Sequence, residues 1–257
     1  MQKQVRYPDA FKRLGRFAET VLACAWVVAA VLRVQTFVLA QDSLTYIRLA
    51  RVLLGHFPGG VRAALSFVAP GYVLLLAAAI RLFGLYAPYW VNGVLGLVLV
   101  TVYSAWLKEL LRDRWAATFA LFASLLWITG GYSLNIPFLF NPFRELPALL
   151  ALVLAMTCLW RGAQLDRRNL LLAAGFFFLA AIGIREPSVF GLPGPLAWLL
   201  FARRPVPARK RWRQAGWVLL PIAACGLAGV VAFRLLTHQG FNMQLVGWAG
   251  PLASRPP

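Results

Sequence analysis

Long apolar stretches separated by short basic runs dominate the pattern of hydrophobic and polar positions along the chain. A bilayer crossing needs about 20 mostly apolar residues. Stretches that meet or approach this length predict transmembrane helices at 18–40, 89–107, 115–134, 147–160, 169–184, 188–202 and 214–236. A further apolar run, 64–80, is broken by Pro70 and Gly71 and ends at Arg81, so hydropathy alone leaves its role open. The pattern predicts an all-α polytopic membrane protein with about seven transmembrane helices.

The composition supports this class. Hydrophobic residues make up 61% of the 257 positions and charged residues only 13%, against about 25% charged in ordinary soluble domains. These values exclude a soluble enzyme, a disordered tail and a disulfide-stapled secreted module. Cys24, Cys158 and Cys225 each lie inside an apolar run, so they do not indicate a redox compartment.

The basic runs predict the orientation of the chain. Most of the 26 Lys and Arg residues lie in four runs, at 3–16, 108–114, 161–168 and 203–213. If 64–80 does not cross the bilayer, all four runs lie on the cytoplasmic side, as the orientation rule for membrane proteins favours. We therefore predict that 64–80 lies in the outer interface or re-enters the membrane, and that the N-terminus is cytoplasmic. The same topology explains the net charge of +18 without a nucleic-acid partner.

The N-terminus also has features of a secretory signal, with Val38-Leu39-Ala40 as a candidate cleavage site. Its apolar run is long for that role and contains Arg33, so we expect a retained signal-anchor in the plasma (inner) membrane. The predicted organisation is a basic cytoplasmic segment, 1–17, a seven-span module, 18–236, and an external tail, 237–257. Within the module, an outer loop at about 41–88 holds interfacial helices.

Charged side chains collect at the predicted outer ends of the spans. Charges at membrane depth are costly, so they are functional candidates by default. The candidates are Arg33, Asp42, Arg144, Glu145, Arg185 and Glu186. Each has a structural alternative: a helix cap, a first-turn acid, or an Arg–Glu pair at a kink.

Local patterns surround these candidates. The apolar positions Leu44, Ile47, Ala50 and Leu54 recur at helical spacing, which predicts an amphipathic helix from Asp42 to a stop at Gly55. Three prolines within 135–147 forbid a continuous helix in the second outer loop. Proline and glycine also interrupt 186–195, as in broken helices that frame binding sites in membrane proteins.

In order and spacing, these residues resemble the polyprenol-dependent GT-C glycosyltransferases, especially the branch with protein O-mannosyltransferases and the lipid A aminoarabinose transferase. The resemblance covers roughly 20–240 and corresponds to the N-terminal module of that family. Ser43 stands where the family often has a second acid, and Glu145 where it often has Asp. The matching positions are Arg33, Asp42, Tyr46, Ala50, Gly55, Pro70 through Phe83-Gly84, Glu145, and Gly175 through Gly183-Ile184-Arg185.

The resemblance implies an inverting transfer of a sugar from a polyprenyl-phosphate donor to an acceptor lipid, glycan or protein outside the cytoplasm. Asp42 would be the general base, and Glu145 would orient the acceptor or, with Asp42, hold a divalent cation such as Mg²⁺ or Mn²⁺. Guanidinium groups would stabilise the departing phosphate. The implied substrate-binding residues are Arg33, Tyr46, Arg62, Arg144, Arg185 and Glu186.

A second class of function stays open: a non-catalytic scaffold subunit that works with a partner subunit, or a carrier of lipids or small solutes. A carrier would show paired, broken spans in two halves of the chain, whereas the sequence shows one broken region and no internal repeat. The spacing between His56 and His238 is not typical of metal-binding histidines, so the sequence does not favour a histidine-based metal site.

Overall fold

The computed structural model describes residues 21–22, 24–25, 41–56, 70–111, 117–121, 144–202 and 206–237. All regular structure in these ranges is helical, which confirms the predicted all-α class for this part of the chain. The named elements are α1 (Gln41–Leu53), α2 (Pro70–Phe83), α3 (Ala87–Leu111), α4 (Glu145–Leu165), α5 (Arg168–Ile184), a 3₁₀ helix (Glu186–Gly191), α6 (Pro193–Phe201) and α7 (Ala208–Thr237).

Two helical stretches among the described residues are long and apolar enough to cross a membrane: Gly93–Leu111 within α3, and α4. Helices α2 and α5 are apolar but shorter. The predicted spans at 18–40 and 115–134 lie mostly outside the described ranges. Among the described residues, the structure therefore shows two helices with the length and composition of membrane spans, not the seven that the sequence predicts.

Helix α1 ends where its sequence predicts. The Gly55 N–H donates to the Val52 carbonyl at 3.1 Å, and the His56 N–H donates to the Arg51 carbonyl at 2.9 Å. Gly55 has a φ of 75°, the left-handed conformation that glycine adopts without steric cost. This pair of bonds is the Schellman motif, which satisfies the last carbonyls of a helix.

Helix α2 is short because proline opens it and a second left-handed glycine closes it. Pro70 is its first residue, and Gly84, with a φ of 89°, follows its last. The 14 residues extend over about 20 Å, less than the roughly 30 Å of a hydrocarbon core. The predicted interfacial or re-entrant position of 64–80 stays a prediction.

Three apolar clusters hold the helices together. One joins α3, 117–121 and α4. A second joins α1 and α2 to the start of α4 through Ala148 and to the end of α5 through Ile184. The third joins α4, α5, α6 and α7 around Phe178 and Leu199. The second cluster brings α1 and α2 to one end of α4, which we call the Glu145 end.

Basic and acidic side chains join the helices at the opposite end of α4, which we call the Asp166 end. Arg161 on α4 donates from Nε to both carboxylate oxygens of Glu109 on α3, at 3.1 and 3.0 Å. Lys210 Nζ on α7 lies 2.8 Å from Asp166 Oδ2. Because α4 has 21 residues, about 30 Å separates the two ends, which matches the thickness of a hydrocarbon core.

The predicted span 188–202 is divided in the structure. The 3₁₀ helix ends at Gly191, and Pro193 opens α6, which has nine residues. Trp198 on α6 stacks on Trp160 of α4 with ring centroids 5.1 Å apart. Arg211 on α7 donates from one terminal nitrogen to the Leu200 carbonyl at 2.8 Å and to the Ala202 carbonyl at 3.4 Å. These contacts hold α6 between its two neighbours.

Candidate functional site

Two of the predicted site residues meet at the Glu145 end. Glu145 is the first residue of α4, and Arg185 follows the last residue of α5 in an extended conformation. Because α4 and α5 run antiparallel, the start of one lies beside the end of the other. Arg185 Nε lies 3.7 Å from Glu145 Oε1, and the two side chains are 42% and 35% exposed. A ligand can therefore reach both groups.

The contact between these two groups is an ion pair but not a hydrogen bond, since 3.7 Å exceeds the usual N–H···O range. Arg185 Nε and Glu145 Oε2 are each inaccessible as atoms, and neither has a hydrogen-bond partner among the described residues. Buried polar atoms are satisfied in most proteins, so such atoms in a native site suggest a ligand or water. The pair thus places one carboxylate and one guanidinium group side by side at this end of the bundle.

Helix α1 joins this end of the bundle through α2, against which it packs. Tyr46 is buried and meets Tyr72 of α2 edge to face, with ring centroids 5.1 Å apart. Both rings belong to the apolar cluster that includes Ala148, three residues after Glu145, and Ile184, one residue before Arg185. Asp42 occupies α1 one turn before Tyr46, so its backbone lies in the turn that leads into this cluster. The Asp42 side chain lies outside the described part of the structure.

For the other predicted site residues, the structure describes the side chain, the backbone alone or neither. Arg144 immediately precedes Glu145 at the N-cap of α4, and its side chain is half-buried. Glu186 opens the 3₁₀ helix directly after Arg185, and its side chain is outside the described set. Arg33 and Arg62 lie entirely outside the described residues. Their predicted roles stay predictions.

The described residues hold no group of three or more His, Cys, Asp or Glu side chains that could bind a metal. Glu145 is therefore not part of a three-ligand site formed by described side chains alone. A cation shared with Asp42 stays a prediction, because that carboxylate is not described.

Sequence patterns missed three contributors to this end of the bundle. Tyr72 supports Tyr46 from α2. A methyl group on Gly71 would lie 2.5 Å from the Gly183 carbonyl oxygen, so the start of α2 touches the backbone of α5 two residues before Arg185. Ser188 is buried, and its N–H donates to the Arg185 carbonyl at 2.9 Å. The Pro-Gly at the start of α2 is the sequence signal that could have indicated the close approach.

Comparison of the chain with models of protein families, with curated proteins and with solved structures finds no match in any of the three.

Proposed function

We propose that the protein is a multi-pass membrane glycosyltransferase that moves a sugar from a polyprenyl-phosphate donor to an acceptor on the outer face of the membrane. The single observation that carries the proposal is the Glu145–Arg185 pair, 3.7 Å apart, at the end of the bundle where one apolar cluster also contains Tyr46 of α1. The order of motifs in the sequence supports the same function, and these residues are the ones that the GT-C resemblance selects.

The membrane part of the proposal is supported by apolar surface. On α3, Trp90, Val94 and Val98 are exposed and recur every four residues, so they form one outward face. On α7, Leu227, Val231 and Leu235 are exposed in the same repeat. Large contiguous apolar surfaces on a folded protein indicate contact with lipid or with a partner. The basic Asp166 end would face the cytoplasm and the Glu145 end the outside, in agreement with the distribution of Lys and Arg.

The proposed reaction needs a base and a phosphate-binding group at the membrane surface, where the lipid tail holds the donor. The acceptor hydroxyl oxygen attacks the sugar carbon that is bonded to phosphate, and that carbon–oxygen bond breaks. Asp42 takes the hydroxyl proton. The phosphate leaves with the bonding electrons, and Arg185 stabilises its added charge through hydrogen bonds. Glu145 holds Arg185 in place or orients the acceptor.

The test uses the full chain in phospholipid vesicles with a panel of labelled polyprenyl-phosphate sugars. We expect a member of the panel to bind and to release free polyprenyl phosphate as its sugar is transferred. Asp42→Asn should lower turnover roughly 100- to 10,000-fold, the range that a general base contributes, with donor binding retained. Arg185→Gln should weaken donor binding, and Arg185→Lys should restore part of it because the charge returns.

Arg81→Gln serves as the matched control, because Arg81 is an exposed cation on α2 and should leave turnover at the parental rate. Parental turnover in a normally inserted Asp42→Asn variant would contradict the assignment of the base. If no donor on the panel binds, the proposed function is wrong. Donor binding without turnover in the parent would instead favour a non-catalytic partner subunit.

A further inference from the structure

A second charged surface lies at the Asp166 end, far from the pair described above. Helix α7 begins there with Arg209, Arg213 and Trp217 at intervals of four residues, so the three side chains share one face. Arg209 and Arg213 are exposed, and Trp217 is half-buried. Over two turns of α7, this face changes from basic to aromatic residues. Tryptophan is enriched at membrane–water interfaces, and basic residues are enriched on the cytoplasmic side of them.

Arg168, the first residue of α5, extends this face from a neighbouring helix. Its guanidinium carbon lies 5.0 Å above the centroid of the Trp217 ring, a cation–π contact. Trp217 packs against the apolar cluster shared by α4, α5, α6 and α7, so the ring is fixed by its neighbours. The ring therefore gives the exposed Arg168 guanidinium a fixed surface to lie on.

Within the described part of the chain, carboxylates pair with only part of this surface. Glu109 pairs with Arg161. Asp166 pairs with both Lys210, at 2.8 Å, and Arg213, at 3.5 Å. No described carboxylate forms an ion pair with Arg168 or Arg209, which leaves two guanidinium groups beside one side of α7.

We propose that Arg168, Arg209, Arg213 and Trp217 form a binding site for the headgroup of an anionic phospholipid. The guanidinium groups would bind the phosphate by paired hydrogen bonds, and the Trp217 ring would lie at the level where the headgroup meets the acyl chains. A lipid is favoured over soluble phosphate because Leu220, three residues after Trp217 and on the same side of α7, is exposed. The site depends on membrane insertion, as in the proposed function, but not on sugar transfer.

The test measures lipid binding to the purified, delipidated full chain in detergent by native mass spectrometry. Phosphatidylglycerol is the anionic probe and phosphatidylcholine the neutral one. The double variant Arg168→Gln/Arg209→Gln should bind phosphatidylglycerol roughly 25-fold more weakly, since each cation near an anionic headgroup contributes about fivefold. Phosphatidylcholine binding and the unfolding midpoint should match the parent.

The matched control is Arg48→Gln/Arg81→Gln, which removes the same charge from exposed positions on α1 and α2. The proposal requires this variant to keep parental affinity for phosphatidylglycerol, and an equal loss would show diffuse attraction instead of a site. Unchanged affinity in Arg168→Gln/Arg209→Gln would overturn the proposal, as would displacement of the lipid by inorganic phosphate. Asp42→Asn should bind lipid like the parent, so a failure of sugar transfer leaves this test intact.

Discussion

The contact between α2 and α5 offers a sharp test of the packing, through the substitution Gly71→Ala. The added methyl group would lie 2.5 Å from the Gly183 carbonyl oxygen and 2.9 Å from the Ile184 nitrogen, against 3.4 Å or more in ordinary contact. Both neighbours are backbone atoms, so no side chain can turn aside. Helix α2 must move away from α5 by about 1 Å to restore an ordinary van der Waals separation.

The expected loss in the free energy of unfolding follows from this displacement. Overpacking a fixed contact destabilises proteins by about 1–3 kcal/mol. Alanine is a better helix former than glycine by up to about 1 kcal/mol in a helix interior, but Gly71 is only the second residue of α2, so little of this gain applies. We expect a net loss of about 1–2 kcal/mol in the free energy of unfolding. Tyr72, the next residue, would shift with the helix beneath Tyr46, and donor turnover would fall as well.

The assay is equilibrium unfolding in detergent micelles, followed by tryptophan fluorescence and circular dichroism. Gly183→Ala is the matched control, because it lies in the same helix contact but its own methyl group would meet nothing within 4 Å. This control should be as stable as the parent or more stable by up to about 1 kcal/mol. If Gly71→Ala unfolds at the parental midpoint, or if both variants lose stability equally, the close approach of α2 to α5 is wrong.

Two further predictions concern Asp166 and Gly55. Hydrogen bonds from Lys210 and Gln214, and then the charges of Lys210 and Arg213, hold the pKa of Asp166 below its ordinary value of 3.8. Because the folded pKa is the lower one, the carboxylate contributes stability above pH 3.8 that is lost as the pH falls through the lowered pKa. Asp166→Asn should thus destabilise the protein at neutral pH and remove part of its loss of stability below pH 3.8, as measured by unfolding midpoints. An unchanged pH profile would contradict the ion pairs. Gly55→Ala should lower the free energy of unfolding by about 1 kcal/mol, since alanine disfavours the left-handed backbone. Gly93→Ala is the control and should not destabilise the protein, because Gly93 lies in a helix with open space at its methyl position. Equal unfolding midpoints for the two variants would refute this reasoning.

The sequence predicts the local elements of this fold well, because they depend on neighbouring residues. The amphipathic spacing and Gly55 correctly predicted α1 and its end. Helix α2 begins at Pro70, the first of the two residues that break the apolar run 64–80. Proline and glycine around 186–195 marked the break before α6, although the predicted span 188–202 is two short helices. Pro221 did not end α7, which continues through it to Thr237.

Contacts between helices could not be predicted in the same way. Hydropathy indicates which helices are apolar, but it does not fix the face or the height at which two of them meet. The resemblance predicted that Glu145 and Arg185 share one site. The structure adds the 3.7 Å contact between their side chains, which the sequence could not predict. The position of Arg168 above Trp217 depends on how α5 and α7 rotate about their axes. No pattern within either segment determines that rotation.

The short helix α6 has a consequence for how the protein is made. Its nine residues cover only about 14 Å. Its last carbonyls are satisfied by Arg211, which is synthesised later. Helix α6 therefore acquires its full set of end contacts only after the first turn of α7 has been made.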